Sequence, residues 1–189
     1  MRKLIMWNVI TLDGYFEGEK KWDLSFHDII WNDEVEQFGI KQLETADMLI
    51  FGKTTYEGMA AYWQAATNET AETAKRMNSI RKIVCSHSLQ AANWNNTEIV
   101  RDAVTDIPKL KEEGDGNMFV FGSGNLSGAL TKEGLFDEYR LLVAPVLLGK
   151  GNRLFPSGIP YQRFSLLEDR PLKTGGIILR YAPLKDTNS

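Results

Sequence analysis

The stretch from Met118 to Pro156 constrains the fold of this chain more than any other. It opens with a short apolar run, Met118 to Phe121, of the kind that fits a strand buried on both faces. Gly122-Ser123-Gly124 follows, a turn that lets the backbone approach a neighbour closely because two of its three residues lack a side chain. Asn125 is the expected N-cap of the next helix, with Leu126, Ala129 and Leu130 turned inward. A strand running through glycine into a helix N-terminus presents unpaired N–H groups and the positive end of the helix dipole to an anion such as phosphate. A lone Gly-x-Gly serves equally well as a plain tight turn, so the rest of the chain has to decide.

The pattern recurs. Met48 to Phe51 reads as a second buried strand that enters Gly52-Lys53-Thr54-Thr55, with a helix expected over Tyr56 to Trp63. Lys53 is placed to hold a phosphate, and Thr54 and Thr55 either donate hydrogen bonds to it or simply cap the helix. Gly52-Lys53-Thr54 is not a P-loop, because the glycine that motif needs upstream is missing. A third strand, Arg81 to Cys85, ends in Ser86-His87-Ser88. Three strand ends finished by glycine or small hydroxyl residues favour a long, phosphate-bearing ligand at the carboxyl edge of a sheet.

The remaining elements agree with such a sheet. Leu4 to Ile10 is a central strand closed by Thr11-Leu12-Asp13-Gly14, and Tyr15 to Asp23 reads as an irregular loop. Trp22 in that loop either packs on the body or covers a ligand. Ser25 to Glu44 is helical in part, broken or capped at Asn32-Asp33. A short helix is expected over Thr70 to Asn78, a strand over Glu98 to Val100, a helix over Val104 to Glu113 and a strand over Tyr139 to Ala144. A glycine-rich loop is expected over Pro145 to Phe155. Phe164 to Lys173 and Ile177 to Tyr181 flank Gly175-Gly176 as a hairpin, before a polar tail from Lys185. Alternating strands and helices predict an α/β fold with helices on both faces of a mostly parallel sheet and a C-terminal antiparallel hairpin. No repeat or linker interrupts residues 1–189, which read as a single domain.

Composition narrows the function classes. A formal net charge of -3 with no clustered lysines and arginines gives nucleic acid no footprint. No segment reaches the roughly 20 apolar residues of a membrane span, and the N-terminal apolar run lacks the features of a signal peptide. Cys85 is the only cysteine, and His27 and His87 are the only histidines, so the reading is a cytoplasmic protein with no metal site.

Thr11-Leu12-Asp13-Gly14-Tyr15, Ile50-Phe51-Gly52-Lys53-Thr54-Thr55-Tyr56-Glu57, Phe121-Gly122-Ser123-Gly124, Leu135-Phe136-Asp137-Glu138 and Pro145 to Gly151 occur in that order. Together they resemble the dihydrofolate reductase-like superfamily, nearest the C-terminal reductase domain of the riboflavin-biosynthesis deaminase-reductase. The resemblance implies a three-layer α/β/α fold and NADPH bound in an extended form. Gly52, Lys53, Thr54 and Thr55 would meet its phosphates, and Gly122, Ser123, Gly124, Asn125 and Leu126 the second diphosphate turn. Ser86 and His87 would face the adenosine 2′-phosphate, although an arginine is usual where His87 stands. Gly14 and Asp13 would lie beside the nicotinamide, and Asp28 loosely matches the substrate carboxylate of dihydrofolate reductases. Asp13 and Asp28 are accordingly the candidate catalytic residues, and Trp22 the candidate substrate contact.

The implied activity is hydride transfer to a pterin- or pyrimidine-like heterocycle, such as dihydrofolate or 5-amino-6-(5-phosphoribosylamino)uracil. The alternative is a non-catalytic NADP-binding sensor or assembly protein. The branch resembled pairs as a homodimer through the segment after Asp137-Glu138, where Leu141, Val143, Val146, Leu147 and Leu148 supply apolar surface or, equally, core strand.

Overall fold

The computed structural model describes residues 2–66 and 71–184. One eight-stranded sheet runs in the order β5-β4-β3-β6-β1-β7-β10-β9. Its strands are β1 (Leu4–Thr11), β3 (Ala46–Gly52), β4 (Arg81–Cys85), β5 (Thr97–Val100), β6 (Asn117–Phe121), β7 (Glu138–Ala144), β9 (Phe164–Pro171) and β10 (Ile177–Pro183). From β5 across to β7 every pairing is parallel, and β10 and β9 extend the sheet antiparallel. The continuous apolar runs follow from this topology, since a central parallel strand meets helices on both faces. In β3, Leu49 and Phe51 enter one core while Met48 and Ile50 enter the other.

Among the described residues five α-helices cover the sheet: α1 (Asp33–Glu44), α2 (Lys53–Ala65), α3 (Ala71–Ser79), α4 (Ala103–Lys111) and α5 (Gly124–Lys132). Val35, Phe38, Tyr56 and Met77 place α1, α2 and α3 on one face, and Ile107, Leu126 and Leu130 place α4 and α5 on the other. The connections leaving β3 and β6 therefore depart toward opposite faces, which opens a crevice between the carboxyl ends of these neighbouring strands.

The structure departs from the sequence reading at several points. The loop after Gly14 contains β2 (Tyr15–Glu17), paired with the two-residue β8 (Asn152–Arg153) from within the expected glycine-rich loop. Strands this short carry too little periodicity to be read from sequence. Ser25 to Ile29 is a 3-10 turn, and Asn32 caps α1 by accepting from the Val35 N–H at 3.1 Å. The N-cap of α5 is Ser123, not Asn125; Asn125 is exposed one residue inside the helix, and Ala129 is only partly buried. Thr70 and the tail from Lys185 lie outside the described residues. Leu141 is core and β7 is an interior strand, whereas Leu147 is exposed.

The Asp137-Glu138 pair of the family-like segment builds scaffold. Asp137 accepts from the Leu4 N–H and pairs with Lys111. Glu138 is wholly buried, with Oε1 2.7 Å from both Arg140 Nε and Arg180 Nε and Oε2 3.2 Å from Lys3 Nζ. Burial alone would raise its pKa; the hydrogen bonds from Arg180 and Arg140 outweigh that and lower it to about 2.

Candidate functional site

Strand register brings the three predicted ends to one level. Gly52 pairs with Cys85, so Lys53 and Ser86 leave the sheet together, and Ile50 pairs with Val120, which sets Gly52 beside Gly122. Trp7 pairs with Phe121 on the other side, so Asn8 of β1 reaches the same level, where its Oδ1 accepts from the Gly122 N–H at 2.9 Å.

The two helices that begin at this edge differ from the rest. Gly52 and Ser123 cap α2 and α5 without a side-chain hydrogen bond, and neither helix has an acidic residue in its first turn. By contrast α1 and α4 are capped by the Asn32 and Asp102 side chains, and α1, α3 and α4 all carry acids in their first turns. The edge thus holds two helix N-termini with no acid in the first turn to meet their N–H groups and positive dipole ends; in α2 Glu57, one turn on, lies 4.0 Å from Lys53 Nζ. Close packing of the junctions explains the glycines. A Cβ on Gly52 would overlap Ser123 Oγ, and one on Gly122, whose φ is +58°, would lie 2.9 Å from the Thr55 side chain. Gly124 admits Phe16, which would come within 3.0 Å of such an atom, so its smallness serves packing by the β2–β8 ribbon.

At the Ser86–Ser88 turn, Ser86 Oγ accepts from the N–H groups of Ser88 and Leu89 at 3.3 and 3.0 Å. Two cations meet there: Lys53 Nζ lies 3.3 Å from Ser88 Oγ, and Arg101 donates to the Ser86 carbonyl at 2.6 Å. His87 is exposed in the same turn. Arg101, which follows β5, was not singled out by sequence; only the parallel pairing of β4 with β5 carries it to this turn.

Next to these ends lies a cavity of about 470 Å³, within the usual range for small-molecule sites. Its wall is largely aromatic, including Phe16, Trp22, Trp31, Trp63 and Phe121, and it reaches the sheet at Asn8 and Gly122 and α2 at Thr55. Among the described residues three buried polar atoms have no hydrogen-bond partner, Asn8 Nδ2, His27 Nε2 and Thr73 Oγ1, and all belong to residues that line it. Each such group costs about 1–3 kcal/mol if left unmet, which sets these three residues apart from the apolar part of the wall. None of these three was legible in the sequence, because each becomes notable only through its neighbours.

Among the other predicted residues, Asp28 lines the cavity from the 3-10 turn and Trp22 closes one side of it. Trp22 stands at φ 66°, with its N–H held 2.6 Å from Glu17 Oε1 and its indole laid on Gly58 of α2, so it both packs and lines. Burial pushes the pKa of the adjacent His27 down to about 4, against the opposing pull of Asp28, and the ring is therefore uncharged at neutral pH. Asp13 is not among the residues lining the cavity. Its Oδ1 accepts from Thr11 Oγ1 at 2.5 Å and from the Leu148 N–H at 3.2 Å, and its Oδ2 from the Gly149 N–H at 2.7 Å. The Thr11 bond leads in lowering its pKa, followed by the backbone bonds, against burial. That carboxylate anchors one loop to another. Gly14 belongs to the same loop, its carbonyl accepting from the Leu154 N–H, and Leu126 is buried in the core beneath α5.

Comparison with known proteins fits this geometry. The family model of the RibD C-terminal domain matches residues 2–175. The uncharacterised protein YyaP of Bacillus subtilis is 25% identical over 187 residues, covering 95% of this chain and 94% of its own length. A Shewanella sp. PV-4 structure described as a candidate riboflavin biosynthesis protein superposes with a TM-score of 0.80 at 20% identity, covering 97% of this chain and 99% of that one. Dihydrofolate reductase from Enterococcus faecalis, complexed with NADP(H) and RAB-propyl, superposes with a TM-score of 0.65 at 12% identity and 97% coverage of both chains. The chain has the dihydrofolate reductase-like fold, and it belongs to the RibD C-terminal domain family.

Proposed function

We propose that this protein is an NADPH-dependent reductase of a small heterocyclic substrate, working in the cytoplasm. The observation that carries the reading is the meeting, on one sheet edge, of two helix N-termini free of side-chain caps and an aromatic cavity with unmet polar atoms. The residues fit the cofactor: the N-termini of α2 and α5 would hold its phosphates, with Lys53 and Arg101 at the Ser86–Ser88 turn for the 2′-phosphate. NADPH would supply the hydride, and the protein orients its acceptor and excludes water from the cavity. Asp28, beside uncharged His27, is the carboxylate placed to pass a proton toward that cavity.

Adding NADPH is expected to raise the melting temperature and quench the fluorescence of Trp22, Trp31 and Trp63, with NADH acting more weakly. At a concentration of 100 Kd the gain in stability is about 2.7 kcal/mol. Absence of any shift with either nucleotide removes the proposal. Loss of absorbance at the reduced-nicotinamide band across a panel of pterins, pyrimidines and quinones then separates a reductase from a sensor that binds without turnover. The commitment of Asp13 to Leu148 and Gly149 favours the sensor reading, since it removes one of the two candidate acids.

Replacing Lys53 and Arg101 together by alanine should weaken NADPH binding about tenfold while leaving NADH unchanged, since about 1.4 kcal/mol of lost charge pairing is tenfold in affinity. Equal losses for both nucleotides would place the 2′-phosphate elsewhere. The reading also includes a homodimer, supported by the edge strand β9, whose outer side has no partner strand among the described residues and which exposes Phe164, Leu166 and Leu167. Sedimentation at micromolar concentration checks it, and a monomer would refute it.

A further inference from the structure

The charges around the cavity name a substrate class. Among the described residues its charged lining is Glu17, Asp28 and Glu36, with no lysine or arginine, and His27 is uncharged. Glu17 is committed, Oε1 to the Trp22 N–H and Oε2 to Asn152 Nδ2, both at 2.6 Å. Asp28 and Glu36 have no hydrogen-bond or ion-pair partner among the described residues. A phosphate dianion placed here would face carboxylates with nothing to neutralise it.

The uncharged polar residues that line the cavity, Asn8, His27 and Thr73, are suited to a different ligand. Asn8 lines the cavity and is 6% exposed; its Oδ1 is fixed by the Gly122 N–H, and its buried Nδ2 has no partner among the described residues. A carbonyl oxygen or an unprotonated ring nitrogen would satisfy it, while Thr73 Oγ1 and His27 Nε2 can each donate or accept. Around these atoms the wall is aromatic, with Trp31 lying parallel to His27 at 6° and 6.4 Å between ring centroids. Aromatic faces suit a flat ring.

We infer that the cavity selects a planar heteroaromatic substrate, uncharged or cationic, that presents a carbonyl or ring nitrogen to Asn8 and bears no phosphate. This rests on the reductase reading for its use, but it separates the two substrates that reading leaves open: a phosphoribosylamino-pyrimidine is disfavoured and a dephosphorylated ring system is taken. The selection falls to Asp28 and Glu36, and the orientation to Asn8.

The test compares riboflavin with FMN, which share one ring system and differ by a phosphate. Binding is read by tryptophan quenching and calorimetry on the full chain saturated with NADP+, so that phosphate-binding positions at the strand edge are filled and no turnover occurs. Riboflavin is expected to bind at least tenfold more tightly than FMN. The Asp28→Lys and Glu36→Lys double variant should narrow or reverse that ratio. Asn8→Asp keeps an acceptor for the Gly122 N–H but loses the donor, and should weaken riboflavin binding about tenfold. Equal affinities, tighter FMN binding or no binding of either ring overturns the inference. A failure of NADP+ to shift the melting temperature would instead count against the reductase reading, and the riboflavin-to-FMN ratio of the unliganded chain still decides the inference.

Discussion

Glu138→Gln is expected to destabilise the protein by about 3 kcal/mol, the scale on which breaking a buried charge pair acts. The wild-type carboxylate receives Arg140 and Arg180 on one oxygen and Lys3 on the other. Glutamine keeps the shape and one neutral oxygen, but it removes the negative charge opposite Arg140, a mostly buried guanidinium whose other partner is the neutral Gln42 Oε1 at 3.1 Å, and it turns an amide N–H toward Lys3. Arg180 retains Glu168 at 2.8 Å and loses less. With an m-value of about 2 kcal/mol/M the urea midpoint should fall by about 1.5 M. The pH dependence gives an independent reading. The pKa of Glu138 is lowered from 4.5 to about 2, so its contribution is full above about pH 4.5 and is lost as pH falls through that window toward 2. Wild type should lose about 3 kcal/mol of stability there that the variant has already lost. Equal acid sensitivity in both proteins would show that this network does not hold the sheet together.

Gly122→Val should abolish NADPH binding while the chain still folds. At φ +58° a β-branched side chain is strained, and the added Cβ would meet Thr55 at 2.9 Å. Relief requires the turn to move, which breaks the Asn8 Oδ1 bond to the Gly122 N–H and shifts Ser123 at the start of α5. A cost of about 2 kcal/mol corresponds to roughly 5 °C in melting temperature for a chain of this size. The NADPH-induced shift should disappear, with the circular dichroism spectrum unchanged. A variant that folds and keeps the full shift would show that the α5 junction does not touch the cofactor.

These two positions mark different kinds of legibility. Gly122 stood out in the sequence because an apolar run, a glycine turn and a helical pattern lie side by side, and that combination has local causes. Glu138 stood out only as part of a family-like segment, and nothing in the segment says that two arginines from β7 and β10 converge on it. Asp13 shows the same limit. Its place after a strand suggested chemistry, yet its oxygens are taken by the N–H groups of Leu148 and Gly149, more than a hundred residues away. Asn125 was read as a cap on residue type alone, whereas the left-handed backbone at Ser123, φ 55°, begins the helix two residues earlier.

The sequence by itself determined the alternation of buried strands and helices and the three strand ends finished by glycine or hydroxyl residues. Both are written in nearest-neighbour periodicity and backbone freedom. Only the tertiary structure decided that Lys53, Ser86 and Gly122 stand level, that Arg101 joins them, and that Asn8, His27 and Thr73, each with an unmet polar atom, line one cavity. Those facts depend on strand order and register across the sheet, which are fixed by packing between residues far apart in the chain and leave no trace in the local pattern.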